Sequence, residues 1–81
     1  MNPFEVEILY HNESTKMMKE LDINFSFDSL DIMKCTLFQI NAVHPRISDG
    51  KEYVDIYVSS GVLTSPMRYD EFIELYNWYN P

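Results

Sequence analysis

The chain has 81 residues, of which thirteen are acidic and six basic, giving a formal net charge of −7. A length of this order predicts one domain spanning residues 1–81, and an apolar content of 46% is enough to drive folding of a core. So acidic a chain repels phosphate backbones, which disfavours direct nucleic-acid binding, and attracts basic protein surfaces.

The first predicted element is a strand over residues 4–10, "FEVEILY", because apolar and acidic residues alternate there. Residues 21–27, "LDINFSF", alternate in the same way, so the two segments are predicted to form an antiparallel hairpin with a loop near residues 11–16. The intervening "KMMKEL" is also compatible with a helical turn, and the sequence leaves that alternative open.

A helix is predicted next, from about Ser29 to Val43. Asp28 is a suitable N-cap, Asp31 falls in the first turn, and Pro45 marks the end. On this helix one apolar stripe should pack on the sheet; it consists of Leu30, Met33, Leu37 and Ile40.

The predicted helix carries a second apolar stripe formed by Cys35, Phe38 and Ala42. A surface helix normally has one apolar face, so something must cover Phe38. Packing against the C-terminal helix is one alternative. A homodimer interface centred on Cys35, Phe38 and Ala42 is the other.

Two further strands follow the helix. Asp49-Gly50 is a typical hairpin turn, and "SSG" at residues 59–61 is a second tight turn. Between the turns, apolar Val54, Ile56 and Val58 alternate with an outward set, which consists of Tyr53, Asp55 and Tyr57. Together with Glu5 and Glu7 and with Asp22, Asn24 and Ser26, this set predicts a water-facing acidic sheet face bearing two tyrosines.

The last predicted helix begins near Tyr69 and runs to Trp78 or Tyr79. Its large side chains share one side, whereas Trp78 lies on the opposite side with Glu71 and Glu74. Trp78 is therefore either an exposed anchor for a partner or a residue that folds back onto the body where the helix frays near Asn77.

The expected fold is α+β with the order ββαββα. It consists of an antiparallel four-stranded sheet with two helices packed on one face.

The residue types present predict no catalytic activity, no metal site and no cofactor. The chain has one cysteine, two histidines and two glycines, too few for a structural zinc site or a phosphate-binding loop. The acidic start "MNPFEVEILY" does not fit a signal peptide, and no apolar run reaches membrane-spanning length. A cytoplasmic location without membrane association is expected.

These observations favour a small acidic module that binds a basic protein partner. The residues predicted to contact the partner are Trp78, Glu71, Glu74, Tyr53, Asp55 and Tyr57. Small acidic α+β proteins of similar type occur among phage-encoded inhibitors and immunity proteins, so an inhibitor is the sharper version and DNA mimicry its most specific form. The alternatives are a homodimeric structural domain of a bacterial or phage protein and, third, an enzyme or ligand-binding subunit, which requires a concave pocket with titratable groups.

Overall fold

The computed structural model describes residues 3–79, which form two helices and five strands. The predicted α+β class is correct, whereas four strands were expected. In chain order the elements are β1 (Phe4–Tyr10), α1 (Glu13–Glu20), a 3-10 helix (Phe27–Ser29), β2 (Asp31–Leu37), β3 (Ala42–Ser48), β4 (Lys51–Val58), β5 (Gly61–Ser65) and α2 (Tyr69–Tyr79).

The strands form two antiparallel sheets instead of the predicted four-stranded sheet. Strand β1 pairs with β2, and β3, β4 and β5 form a three-stranded meander in that order. The expected order ββαββα is therefore wrong. Strand β1 also lies against β5 without joining its ladder, so the two sheets share one core.

The core is built from the alternating apolar residues of β1 and β4 together with α2. Its buried members are Phe4, Val6, Ile8, Leu37, Val54, Ile56 and Phe72. The ring of Phe4 lies at the centre of an aromatic cluster, with ring centroids 5.6 Å from Phe72, 5.7 Å from Tyr76 and 5.5 Å from Tyr79. The predicted inward set of β1 is thus correct up to Ile8.

The predicted strand over residues 21–27 is wrong, and the helical alternative for the preceding segment is correct. Asn12 caps α1, because its side chain accepts a hydrogen bond from the Thr15 N–H at 2.9 Å while the Thr15 hydroxyl accepts one from the Asn12 N–H at 2.9 Å. After α1 the chain turns through Asp22 at a φ of 59°, which interrupts any extended run. Leu21 and Ile23 remain 63% and 50% exposed.

The predicted helix over residues 29–43 is also wrong, since this segment forms β2 and the start of β3. Asp28, the expected N-cap, lies in the 3-10 helix and pairs with Lys51. Strand β1 needs a hydrogen-bonding neighbour, and β2 supplies it in a register that places Cys35 opposite Val6 and Leu37 opposite Phe4. Pairing between distant segments overrides the helical spacing that the local pattern indicates.

In the second half of the chain, β4, β5, α2 and the two turns are as predicted, whereas β3 was not predicted. Asp49 and Gly50 both have positive φ, 53° and 76°, which is the backbone of the two-residue hairpin turn between β3 and β4. A second tight turn at residues 59–60 joins β4 to β5. Helix α2 spans Tyr69–Tyr79 and buries Phe72 completely.

Candidate functional site

Trp78 lies on the solvent side of α2. Its side chain is 75% exposed, and its ring contacts Tyr79 edge-on, with centroids 5.1 Å apart. Phe72, on the other side of the helix, is fully buried. The helical periodicity of this segment therefore placed Trp78 correctly, and the alternative in which it folds back into the body does not occur.

A shallow groove of about 560 Å³ runs along Trp78. We call it the acidic groove; its lining consists of Met67, Glu71, Glu74, Leu75, Trp78 and Tyr79. Residues 71, 74, 75 and 78 come together because they lie three or four positions apart on one helix. Two carboxylates, an indole ring and apolar side chains therefore lie side by side in this groove. Three of the six residues predicted for partner binding line it, namely Trp78, Glu71 and Glu74.

The acidic groove continues into a smaller recess over β1. This recess, of about 190 Å³, shares Met67 and Leu75 with the groove and is also lined by Glu5 and Glu7. Glu5 faces Lys34 across the β1–β2 ladder, with 3.6 Å between Oε1 and Nζ. Both side chains are more than half exposed, so this ion pair is weak and leaves the carboxylate available to a partner.

Arg68 is the cation next to the acidic groove, and it is already engaged. Its Nε donates to Glu52 Oε2 at 2.9 Å, and this hydrogen bond raises the pKa of the guanidinium, with the charge of Glu71 acting in the same direction. Arg68 is therefore paired with Glu52, and none of the ion pairs formed within residues 3–79 involves Glu71 or Glu74.

The predicted open face around Tyr53 and Asp55 is not open. Tyr53 is 6% and Asp55 4% exposed. Phe27 of the 3-10 helix covers Tyr53, and Arg46 and Thr64 contact Asp55. The Phe27 ring packs edge-on against Tyr53 with centroids 4.8 Å apart. The guanidinium carbon of Arg46 lies over the Phe27 ring, 5.9 Å from its centroid. Tyr53 and Asp55 were both predicted to lie on a water-facing surface, and that prediction is wrong.

Asp55 holds the three-stranded sheet together. Its Oδ2 accepts from Arg46 Nε at 2.7 Å, and its Oδ1 accepts from the Thr64 hydroxyl at 3.0 Å. Arg46 is on β3 and Thr64 on β5, so one buried carboxylate links all three strands. Tyr57, further along β4, is 37% exposed beside His44, with ring centroids 5.3 Å apart, and remains accessible.

The residues of the alternative dimer interface do not form a helical stripe. Phe38 follows β2 and is 70% exposed, Ala42 is exposed at the start of β3, and Cys35 is half-buried on the face of β2 that bears Leu37. The predicted interface, which depended on a helix, is therefore wrong in its geometry. Phe38 itself still lacks an apolar covering.

Within residues 3–79, no group of three or more histidine, cysteine, aspartate or glutamate side chains is arranged to hold a metal ion. No helix in this described part of the chain has the length and apolar content to cross a membrane.

Several residues of the acidic groove and of the adjoining recess were not assigned to this site from the sequence. Met67 lies in the connection before α2. It lines both the groove and the recess because this connection lies beside β1, a long-range contact that the local sequence does not indicate. Glu5 and Glu7 were predicted to face outward from β1. Nothing in the local sequence indicates that they lie near α2.

Comparisons of the chain with protein-family models, with curated proteins and with solved structures gave no match. The chemistry of the groove therefore has to support any assignment of function.

Proposed function

We propose that this protein binds a basic protein partner through the acidic groove, with Trp78 as the anchor. The observation that carries the proposal is the 75% exposure of Trp78 in the wall of a groove that also bears Glu71 and Glu74. Tryptophan is enriched among the residues that dominate binding energy, and its indole supplies a large apolar contact area with one hydrogen-bond donor.

The groove is suited to a segment that alternates apolar and cationic side chains. Met67 and Leu75 form an apolar floor, and methionine adapts its shape to different side chains. Glu71 and Glu74 are placed to pair with lysine or arginine, and the face of Trp78 offers a cation–π contact. Complementary charge accelerates association and makes it sensitive to salt.

An inhibitor or immunity-type role is the sharper form of this proposal. A partner that uses a basic surface for its own ligand would be blocked when that surface is occupied by the acidic groove. DNA mimicry is the most specific version, and it is supported by the presence of Glu5 and Glu7 in the recess that continues the groove.

Trp78 is the only tryptophan of the chain, so its emission reports directly on the acidic groove. The probe is a short capped peptide of alternating lysine and leucine, with the same peptide carrying glutamate in place of lysine as the control. We expect the lysine peptide to shift the emission saturably, with weaker binding at high salt, and the glutamate peptide to have no effect.

A matched pair of double variants distinguishes binding in the acidic groove from general attraction by the net charge of the protein. We expect Glu71→Gln/Glu74→Gln to weaken binding of the lysine peptide about tenfold. Glu13→Gln/Glu20→Gln makes the same change in charge on α1, whose residues do not line the groove, and should leave binding nearly unchanged. An equal loss in both variants would show that net charge alone attracts the peptide and would refute the groove.

The natural partner can be located by crosslinking. A photo-crosslinking residue at Asn77, next to Trp78, should capture one basic protein from source-cell lysate at low salt and less at high salt. The same residue at Ile47, which is 75% exposed on β3, should not. Trp78→Ala should abolish capture at position 77; capture that persists in this variant would exclude Trp78 as the anchor.

Self-association is a second candidate, favoured by the exposure of β2. Among the described strands, β2 has a hydrogen-bonded neighbour on one side, and its Ile32 and Met33 are 52% and 45% exposed. Exposed edge strands with apolar side chains pair readily with other chains. If the protein self-associates, light scattering should give a dimer mass for the wild type. Loss of the dimer in Phe38→Glu and in Met33→Lys, with the fold retained, would support self-association. A monomer mass at high concentration would exclude it.

A further inference from the structure

A second cavity lies away from the acidic groove and shares none of its lining. It has a volume of about 400 Å³ and is enclosed by the end of β1, α1, the segment before β2, and β5. Its walls are mainly apolar, with Phe25, Phe27, Leu30 and Leu63 among them. This volume lies within the range of small-molecule sites, which are typically apolar with a few polar groups.

His11 lines this cavity and carries an unsatisfied polar atom. Its Nδ1 is buried and has no hydrogen-bond partner among residues 3–79. The ring is held in place by Phe25, which packs edge-on against it with centroids 5.4 Å apart. Buried polar atoms in folded proteins are normally paired with protein, water or a ligand, so this nitrogen would gain a partner if the His11 ring turned towards a ligand in the cavity.

The charge of the cavity is opposite to that of the protein. The chain has a net charge of −7, yet the described residues that line this cavity include Lys19 and neither aspartate nor glutamate. None of the ion pairs formed within the described part of the chain involves Lys19. Thr64, also in the wall, already donates its hydroxyl proton to Asp55. Lys19, His11 and Tyr10 are therefore the polar side chains of the described lining that remain available to a ligand, and Lys19 is the cation among them.

We propose that this cavity binds a small apolar monocarboxylate, such as a medium-chain fatty acid. The carboxylate pairs with Lys19 Nζ and accepts a hydrogen bond from His11, and the hydrocarbon tail lies among Phe25, Phe27 and Leu30. A cationic ligand would be repelled by Lys19, and no carboxylate in the described lining would offset the repulsion. A neutral ligand would leave the Lys19 ammonium without an ion-pair partner.

The test is an NMR titration of the full chain with octanoate and, separately, with 1-octanol. The two probes have the same chain length, so the difference between them measures recognition of the carboxylate. We expect octanoate to shift the His11 ring protons and the amides of residues 62–64 saturably, with an affinity at least about tenfold higher than that of octanol. No saturable shift at these positions, or equal affinities for both probes, would overturn the proposal.

Three variants complete the experiment. Lys19→Met keeps the length of the side chain and should remove most of the preference for octanoate. Lys16→Met makes the same change on α1 at a residue outside the lining, and should retain the preference. His11→Phe removes the unsatisfied nitrogen, so it should raise the melting temperature while weakening octanoate binding. Equal effects of Lys16→Met and Lys19→Met, or unaltered octanoate binding in folded His11→Phe, would refute the assignment of these groups.

Discussion

Strands β2 and β4 are similar in length but have opposite environments. In β4, residues 53–56 are buried without interruption, including an aspartate, whereas in β2, residues 31–34 are all exposed, including an isoleucine and a methionine. Strand β4 has neighbours on both edges and cover on both faces, while β2 pairs with β1 alone. Position in the sheet, more than apolar content, therefore decides what a strand buries.

The two faces of β4 are covered by different means. Val54 and Ile56 join the apolar core with Phe72 of α2, and Tyr53 is covered on the opposite face by Phe27. Strand β2 reaches the core mainly through Leu37 at its end. We therefore expect substitutions around β4 to reduce stability and substitutions in β2 to leave the fold intact.

The largest expected effect is that of Phe72→Ala, which removes the fully buried ring that packs against Phe4 and lies in the same core as Val54 and Ile56. Loss of burial together with cavity formation should lower the free energy of unfolding by about 3–5 kcal/mol. The matched substitution in β2, Ile32→Ala, should cost less than about 1 kcal/mol because this side chain is half exposed. Urea unfolding measures both, and equal losses would contradict the comparison.

A smaller effect is expected for Asp55→Ala on β4. The substitution leaves Arg46 and Thr64 without their shared acceptor, and we expect a loss of about 2 kcal/mol, because Arg46 is half exposed and can be rehydrated. Asp28→Ala is the control, since its pair with Lys51 is exposed on both sides and is screened by solvent, so its loss should have a much smaller effect. A control loss as large as that of Asp55→Ala would show that burial does not set the difference.

The smallest effect concerns the exposed contact at the start of β4. Lys51 Nζ donates to both carboxylate oxygens of Asp28 at 2.9 Å, and this raises the pKa of Lys51 above its ordinary value of 10.5. The stabilisation is fully present below about pH 10.5 and is lost as the pH rises through the folded-state pKa.

Melting temperatures measured on either side of pH 10.5 should therefore fall slightly more in the wild type than in Lys51→Met. Tyrosines ionise in the same range, so the difference between the two proteins is the relevant quantity. Identical pH profiles would mean that the Lys51–Asp28 pair does not contribute to stability.

The parts of the fold that were predicted correctly depend on local interactions. The alternation in β1, the Asp49-Gly50 turn and the stripe of α2 each lie within a short segment, and the position of Trp78 follows from helical spacing alone. These signals were sufficient to bring Glu71, Glu74 and Trp78 together at one site.

The parts that were predicted wrongly depend on distant pairing. The segment 29–43 has helical spacing but becomes strand because β1 needs a neighbour. Tyr53 and Asp55 were expected in water, and what buries them is Phe27 together with cross-strand partners on β3 and β5. No pattern within β4 itself indicates that its second face is covered.

The aromatic cluster around Phe4 has a consequence for how the protein is made. Phe4 lies in the first described strand, and the rings that enclose it come from α2, which the ribosome synthesises last among the described elements. The hairpins of β3, β4 and β5 can form as they emerge, because their contacts are local, but Phe4 lacks its aromatic neighbours until α2 has been synthesised. The aromatic part of the core is therefore completed only after every other described element has been made.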